Sequence, residues 1–447
     1  MKAAAGIDAG VGETLTPEMR RLLLLSVSGV FLDGYDISII SLALLEIRGV
    51  FHATPSEIGL TAAAILMGNL IGALVFGRLA DRIGRRLVFI ADIAFFVIFA
   101  ILSGLSFSIW QLIIWRFLIG IGIGGDYALA SPIIAEAVPP SRRGRVLVLN
   151  WGGAWFAGEI AAFAVGFLFL RFGSENGWRW MLASGAIPAI AVLILRRNFP
   201  ESARWLLTQG RHPEAHQAAA QLGTSLGRLV DPAGRPPGVA TGSPLREIFG
   251  RFRRASWYGI LNYVFEGAPF YALSVFLPEI LRGAGFAKTS AGIALGNLFL
   301  QGTGLIGLVL IYHWVDTKGR RFVNYLGFGG VALALLLYEF MFPPPVAVLF
   351  VLFILIEISL WLGPACTDNL LLGELWPTRV RATGAGIAAA AGRLSAIFGT
   401  YAMPVLIAAY GVNGALILPI MFAIGGILAT AFLGIETKGR SLEEMWE

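Results

Sequence analysis

Charge is scarce in this chain. Lys, Arg, Asp and Glu make up 14% of its 447 residues, while 57% are apolar; soluble proteins average about 25% charged. So few charges cannot coat a surface of this size, which excludes an ordinary soluble globule. A disordered chain and a collagen-like fibre are excluded with it. Cysteine is nearly missing: Cys366 stands alone, so an internal disulfide is impossible. The four histidines, His52, His212, His216 and His313, include no HExxH pattern, so no metal site is expected. No nucleophile–base constellation and no cofactor signature appears, and the chain is therefore not read as an enzyme. Long polar stretches are also missing, except for residues 207–254.

What is present is a series of long apolar runs. A membrane span takes about 20 apolar residues. Runs bounded by charge, Gly or Pro fall at 20–46, 57–77, 87–107, 110–137, 146–170, 180–196, 256–281, 290–314, 322–342, 345–370, 383–409 and 412–434. The expected fold is an all-α membrane protein of twelve transmembrane helices. Residues 1–18 lack the apolar core of a cleavable signal and read as a tail, as do 435–447. Basic residues decide the sidedness. With both termini on one side, the loops of that side hold 27 of the 34 Lys and Arg, and the opposite loops hold five. The positive-inside rule places the basic side in the cytoplasm of a plasma (inner) membrane. The net charge of +6 then serves the anionic lipid face, and no nucleic-acid partner is needed.

The polar stretch 207–254 divides the spans six and six, into halves at 19–206 and 255–434. A helical pattern near 213–222 makes it a partly helical cytoplasmic linker. Three motifs recur in the same order in both halves. Gly77-Arg-Leu-Ala-Asp81-Arg-Ile-Gly84-Arg85-Arg86 matches Asp316-Thr-Lys-Gly319-Arg320-Arg321, 235 residues on. Glu136, Pro139 and Arg143 match Glu374, Pro377 and Arg381 at 238, and Glu201 with Arg204 is echoed by Glu436 with Arg440. Near-equal offsets indicate a duplicated six-span half, an architecture that binds substrate at the midplane between the halves. Gly84 and Gly319 permit tight turns between helices. The acids and bases around them sit at helix ends, where ion pairs can form in one gate state and break in another.

These motifs, together with Pro200-Glu201-Ser-Ala-Arg204-Trp205-Leu206 and Glu436-Thr-Lys-Gly-Arg-Ser-Leu-Glu-Glu444, resemble the sugar-porter type of the major facilitator superfamily. The resemblance covers nearly the whole chain and implies alternating access by rocking of two pseudo-symmetric halves. Phe31-Leu-Asp33-Gly-Tyr35-Asp36, Gly124-Gly125-Asp126-Tyr127 and Gly373-Glu374-Leu-Trp-Pro377-Thr-Arg379-Val-Arg381 look like its proton-coupled phosphate and organic-anion symporters. In that branch the matching aspartates of the first and fourth spans are assigned to proton transfer. The chain departs from it in the seventh span. Counted from Tyr271, Gly267 stands where the branch has an aspartate, and Glu266 is one residue off, turned 100° around the helix. Paired glutamines typical of sugar carriers are missing there, and Glu159 holds what looks like their fifth-span glutamine position.

Ionisable groups inside spans are costly and mark function by default. Asp33 and Asp36, three residues apart, are placed on one face of the first span, and Asp126 follows a glycine-rich run in the fourth. That run lies inside an apolar stretch with no preceding strand, so it reads as a helix-packing face and not as a nucleotide loop. Asp33, Asp36 and Asp126 are expected to carry protons, with Arg116 as a buried partner of Asp36. Arg393, mid-span in the eleventh helix, stays charged and can hold a carboxylate or phosphate in two-pronged fashion. Glu159, Glu266, Tyr127, Asn150, Trp155, Tyr263, Tyr271 and Trp361 are expected to shape the site around it. The expected function is proton-coupled symport of a small anion by a monomer. A sugar carrier and a non-transporting membrane receptor are the alternatives.

Overall fold

Apolar runs of span length can satisfy their backbone polar groups without water only by bonding internally as helices. The computed structural model describes residues 17–137, 148–172, 176–197, 201–221 and 243–438. Six helices form the first half: α1 (Pro17–Val50), α2 (Pro55–Ile83), α3 (Arg85–Gly104), α4 (Ile109–Ala137), α5 (Ala154–Phe172, entered through a π turn at Val148–Gly153) and α6 (Gly177–Arg196). Three short helices follow: α7 (Ala203–Thr208), α8 (His212–Gln221) and α9 (Pro244–Phe249). The second half holds α10 (Arg253–Gly283), α11 (Ser290–Trp314), α12 (Arg320–Phe340), α13 (Val346–Glu374) and α14 (Thr378–Phe432). The last is two spans run together, because Gly411 at φ 72° and ψ 177° breaks the helix between them. Twelve spans are thus present among the described residues, where the hydropathy pattern places them.

Local sequence explains the helix ends. Thr54 and Glu57 cap α2 reciprocally: the Glu57 N–H donates to Thr54 Oγ1 at 3.3 Å and the Thr54 N–H to Glu57 Oε2 at 2.8 Å. α13 bends at Gly363-Pro364, where Gly363 leaves the helical region (φ −124°, ψ −102°) and Pro364 restarts the helix. Leu74, Ile98, Trp110, Ile187, Val351 and Phe432 are all exposed, an outer apolar surface that only lipid covers well. The chain is an integral, multi-pass membrane protein.

The duplication is visible in the packing. α1 packs on α5 and α2 on α4; correspondingly, α10 packs on α14 and α11 on α13. Between halves α1 meets α10, α2 meets α14 and α5 meets α11. The glycine-rich run of α4 does what its apolar setting requires. A Cβ on Gly120 would lie 2.0 Å from the Ile65 carbonyl oxygen of α2, and one on Gly124 would lie 2.2 Å from that of Asn69. Two backbones approach there, and only glycine allows it.

One face of the bundle carries α7, α8 and α9 and is termed the terminal face. On the opposite face the halves are joined. Arg48, at the end of α1, pairs with Glu279 of α10, and Arg282 donates to the Leu45 carbonyl at 3.1 Å. Arg196, at the end of α6, is fully buried. It donates to the Leu25 carbonyl and to Ser28 Oγ, both at 3.0 Å, and lies 3.7 Å from Asp92. Asp92 sits inside α3, and a charge at that depth recruits the nearest cation.

Candidate substrate site

A cavity, open at its mouth, lies between the halves. Val30, Gly152 and Trp155 face it from the first half. From the second half α10 supplies Tyr263, Glu266 and Tyr271, α13 supplies Trp361, Asp368 and Asn369, and α14 supplies Arg393. Helix contact sets this register. A Cβ on Gly267 would lie 2.6 Å from the Gly392 carbonyl oxygen, so α10 and α14 meet with Glu266, Tyr271 and Arg393 side by side. Trp155 crosses the interface to meet Phe270 and Tyr271 edge-on, each at 6.0 Å between ring centroids, and Phe156 meets Trp361 at 5.5 Å. These rings wall the cavity off from the opposite face.

The charges pair in an order the sequence left open. The Arg393 guanidinium donates to the Tyr271 hydroxyl at 2.5 Å, and another of its nitrogens lies 3.8 Å from Asp33 Oδ2, across the interface. Asp36 turns elsewhere and pairs with Arg116 of α4 at 2.9 Å, while Arg116 Nε donates to the Thr61 carbonyl at 3.1 Å. Asp33 and Asp36 therefore do not act on one face. Three residues leave them about 60° apart on the helix, enough to aim one at the other half and one into its own.

Glu266 lines the cavity, and its carboxyl meets that of Asp368 within hydrogen-bonding reach. The bend at Gly363-Pro364 brings Asp368 to it. Behind this pair runs a polar chain that sequence reasoning missed. Asn262 Nδ2 donates to Asp368 Oδ1 at 2.8 Å, Asn324 Nδ2 to Asn262 Oδ1 at 3.0 Å, and Thr367 Oγ1 to Asn324 Oδ1 at 2.5 Å. Tyr263 donates to Asn369 at 3.2 Å. Neutral amides in apolar spans were the available signal, and they were outweighed by the charges.

Glu159 is not among the cavity residues. It lies one turn beyond Trp155 on α5, behind the aromatic wall, and is 1% exposed. The interactions of Asp126, Tyr127, Asn150, Gly77, Asp81, Glu136 and Arg204 lie outside the described residues, as does the whole of Arg143.

The repeated motifs build the same device twice. Gly84 and Gly319 both sit at φ 100°, a region that favours glycine, and each turns the chain into the next helix. Glu201 Oε1 accepts the Arg85 N–H at 2.9 Å, and Glu436 Oε1 accepts the Arg320 N–H at 3.0 Å. Arg86 and Arg321 give their N–H groups to the same two carboxylates at 3.2 and 3.1 Å. A carboxylate thus caps the positive N-terminus of α3 and of α12. In the second half Arg320 also binds Glu374 at 2.8 Å and Asp316 at 3.0 Å, while Arg381 Nε donates to the Trp376 carbonyl. These contacts each stay within one half. Glu436→Gln should therefore cost about 1–2 kcal/mol through the lost charge at a helix N-terminus. Thermal unfolding in detergent checks this, and an unchanged midpoint would show that Glu436 caps nothing. On the same face, a hydrogen bond from Arg211 at 2.8 Å holds the Glu214 carboxyl below its ordinary value, and His212 and His216 are exposed.

The family described as sugar (and other) transporter matches residues 22–447. A putative metabolite transport protein of Escherichia coli, YaaU, is 31% identical, over 95% of this chain and 94% of its own. A repressible high-affinity phosphate permease of Neurospora crassa is 28% identical, over 93% of this chain and 84% of its own. Among solved structures, the proton:xylose symporter XylE, bound to 6-bromo-6-deoxy-D-glucose, aligns with a TM-score of 0.75. It is 24% identical and covers 96% of this chain and 99% of its own, a likeness that shows the fold. With two repeated six-helix halves around a polar central cavity, and with this match along nearly its whole length, the chain belongs to the sugar (and other) transporter family of the major facilitator superfamily.

Proposed function

We propose that this transporter is a proton symporter of a small anion, phosphate or an organic carboxylate, working by alternating access as a monomer. The observation that supports this most directly is the pairing of Arg393, the cation lining the cavity, with Asp33 of the other half. A proton on Asp33 neutralises that carboxyl and frees the guanidinium to take a carboxylate or phosphate in two-pronged fashion. A proton shared by Glu266 and Asp368 halves the negative charge that would repel the same anion. Proton and anion then favour each other's binding, which is the thermodynamic condition for symport. Asp36, Asp126 and Arg116 belong to the proton path in this reading. Trp155, Tyr271 and Trp361 would hold an organic body. The excess of bases on the terminal face puts both termini in the cytoplasm.

Asn262, Asn369 and the ring faces would also suit a neutral sugar. A thermal-shift screen of phosphate, small carboxylates and sugars separates the two, because a binder of the folded state raises its melting point. With a hit in hand, that solute should alkalinise the medium outside proteoliposomes as it enters; uptake indifferent to a pH gradient would refute proton coupling. Arg393→Gln should weaken binding of the anion roughly ten- to hundredfold, since hydrogen bonds to charged groups contribute about 1.5–3 kcal/mol. An unchanged affinity would remove the charge argument.

A further inference from the structure

Beyond the aromatic wall lies a second acidic cluster that the cavity does not include. Glu159 stands four residues past Trp155 on α5, and Glu357 stands four residues before Trp361 on α13. Because these two helices run in opposite directions, both carboxyls lie one turn, about 6 Å, from the rings toward the opposite face. They are 1% and 2% exposed and within electrostatic range of each other, across the interface between the halves. α11 packs on both helices and carries two buried amides, Gln301 and Asn297. With its amide turned to donate, Gln301 Nε2 lies 2.8 and 3.1 Å from the two oxygens of Glu357. Asn297, one turn along the same helix face and fully buried, has neither its amide nitrogen nor its oxygen bonded, and Glu159 Oε2 is likewise unbonded.

No base neutralises this cluster among the described residues. Asp33 and Asp36 of α1, which packs on α5, are engaged with Arg393 and Arg116. α12, which packs on α13, carries Arg320, Arg321 and Glu339 only at its ends, and α11 has Tyr312 and His313 only at its far end. Asp368 lies on the cavity side of the rings. Two ionised carboxylates in a dry interior without a cation are untenable. The open hydrogen-bonding capacity of Asn297 and Glu159 marks room for a further polar partner.

We propose that Glu159, Glu357, Gln301 and Asn297 form a second proton-binding site, set between the halves and reached from the opposite face. The site is whole only while α5 and α11 are in contact. Separation of the halves on the opposite face parts the carboxyls, lets water in and allows the proton to leave. Closure requires a proton to be taken back. The step breaks one carboxyl O–H bond and passes the proton to water, with no other reactant. It deepens the symport reading by adding a proton site distinct from Asp33, and it rests on alternating access by the two halves.

The test needs no substrate, so its outcome is independent of whether the transported solute is an anion. Purified full-length protein is titrated between acid and alkaline pH, and the carbonyl stretch of protonated carboxyl groups is followed by infrared difference spectroscopy. The Glu159→Gln/Glu357→Gln double variant should lose part of that band and take up about one proton fewer per chain. Identical spectra and proton counts would overturn the proposal. Either single variant carries the same test if the double variant does not purify. Spin labels on Gly49→Cys and Lys288→Cys, in a Cys366→Ala background, report the opening of the opposite face. Alkaline pH should lengthen their separation in the parent and leave it short in the double variant, whose amides mimic the protonated acids. A separation with the same pH response in both would refute the link to closure. A melting point raised by sodium over choline in the parent alone would assign the site to a metal cation and overturn the proton.

Discussion

Asp36→Asn is expected to lower stability by about 3–5 kcal/mol, because it leaves Arg116 charged and without its carboxylate in the core of the first half. The pair is buried and closes at 2.9 Å, and among the described residues the guanidinium also donates to the Thr61 carbonyl. Such a loss is a large share of a typical folding free energy of about 5–15 kcal/mol. Thermal unfolding in detergent measures it. Replacing both partners, Asp36→Asn with Arg116→Gln, should recover most of the loss, since a neutral pair of similar volume removes the uncompensated charge. A single variant within about 1 kcal/mol of the parent would show that Arg116 finds another partner, and the value of the pair would then be small.

Asp33→Asn is expected to abolish accumulation of substrate against its gradient while sparing exchange of substrate across the membrane. The asparagine is neutral in every state, so the carboxylate that faces Arg393 across the interface is lost at every pH, and no proton is needed to remove its charge. Binding then loses its linkage to pH, and a carrier without that linkage only equilibrates its substrate. Counterflow in proteoliposomes should persist and uphill uptake should vanish. Normal accumulation would remove Asp33 from the proton path. This variant should cost less stability than Asp36→Asn, because Arg393 keeps the Tyr271 hydroxyl at 2.5 Å and its side chain reaches the cavity.

The spans were legible because an apolar run must become a helix in lipid, whatever surrounds it. The repeat was legible because Gly84 and Gly319, Glu201 and Glu436 recur at one offset, and local turn chemistry demands those residue types. The partners of the buried charges were not. Asp33 and Asp36 are neighbours in sequence and bind arginines on different helices, in different halves. Glu266 lines the cavity although it stands one residue off the aspartate position of the phosphate branch, because the register of α10 is set by the approach of Gly267 to α14 and not by counting from Tyr271. Glu159, read as a substrate ligand, lies behind the aromatic wall, where the crossing of Trp155 toward Phe270 closes the cavity one turn earlier.

The amino-acid sequence alone determined the membrane class, the number and places of the spans and the duplicated halves. Each of these depends on composition or on contacts within a turn or two of the chain. Tertiary structure alone decided which charge meets which, where the cavity ends and which acids share a site. Those outcomes depend on helix rotation and on close packing between segments 100 residues or more apart, as with Asn262 and Asp368 at 106. A side chain in lipid must find its partner inside the bundle, so the bundle and not the local sequence assigns it.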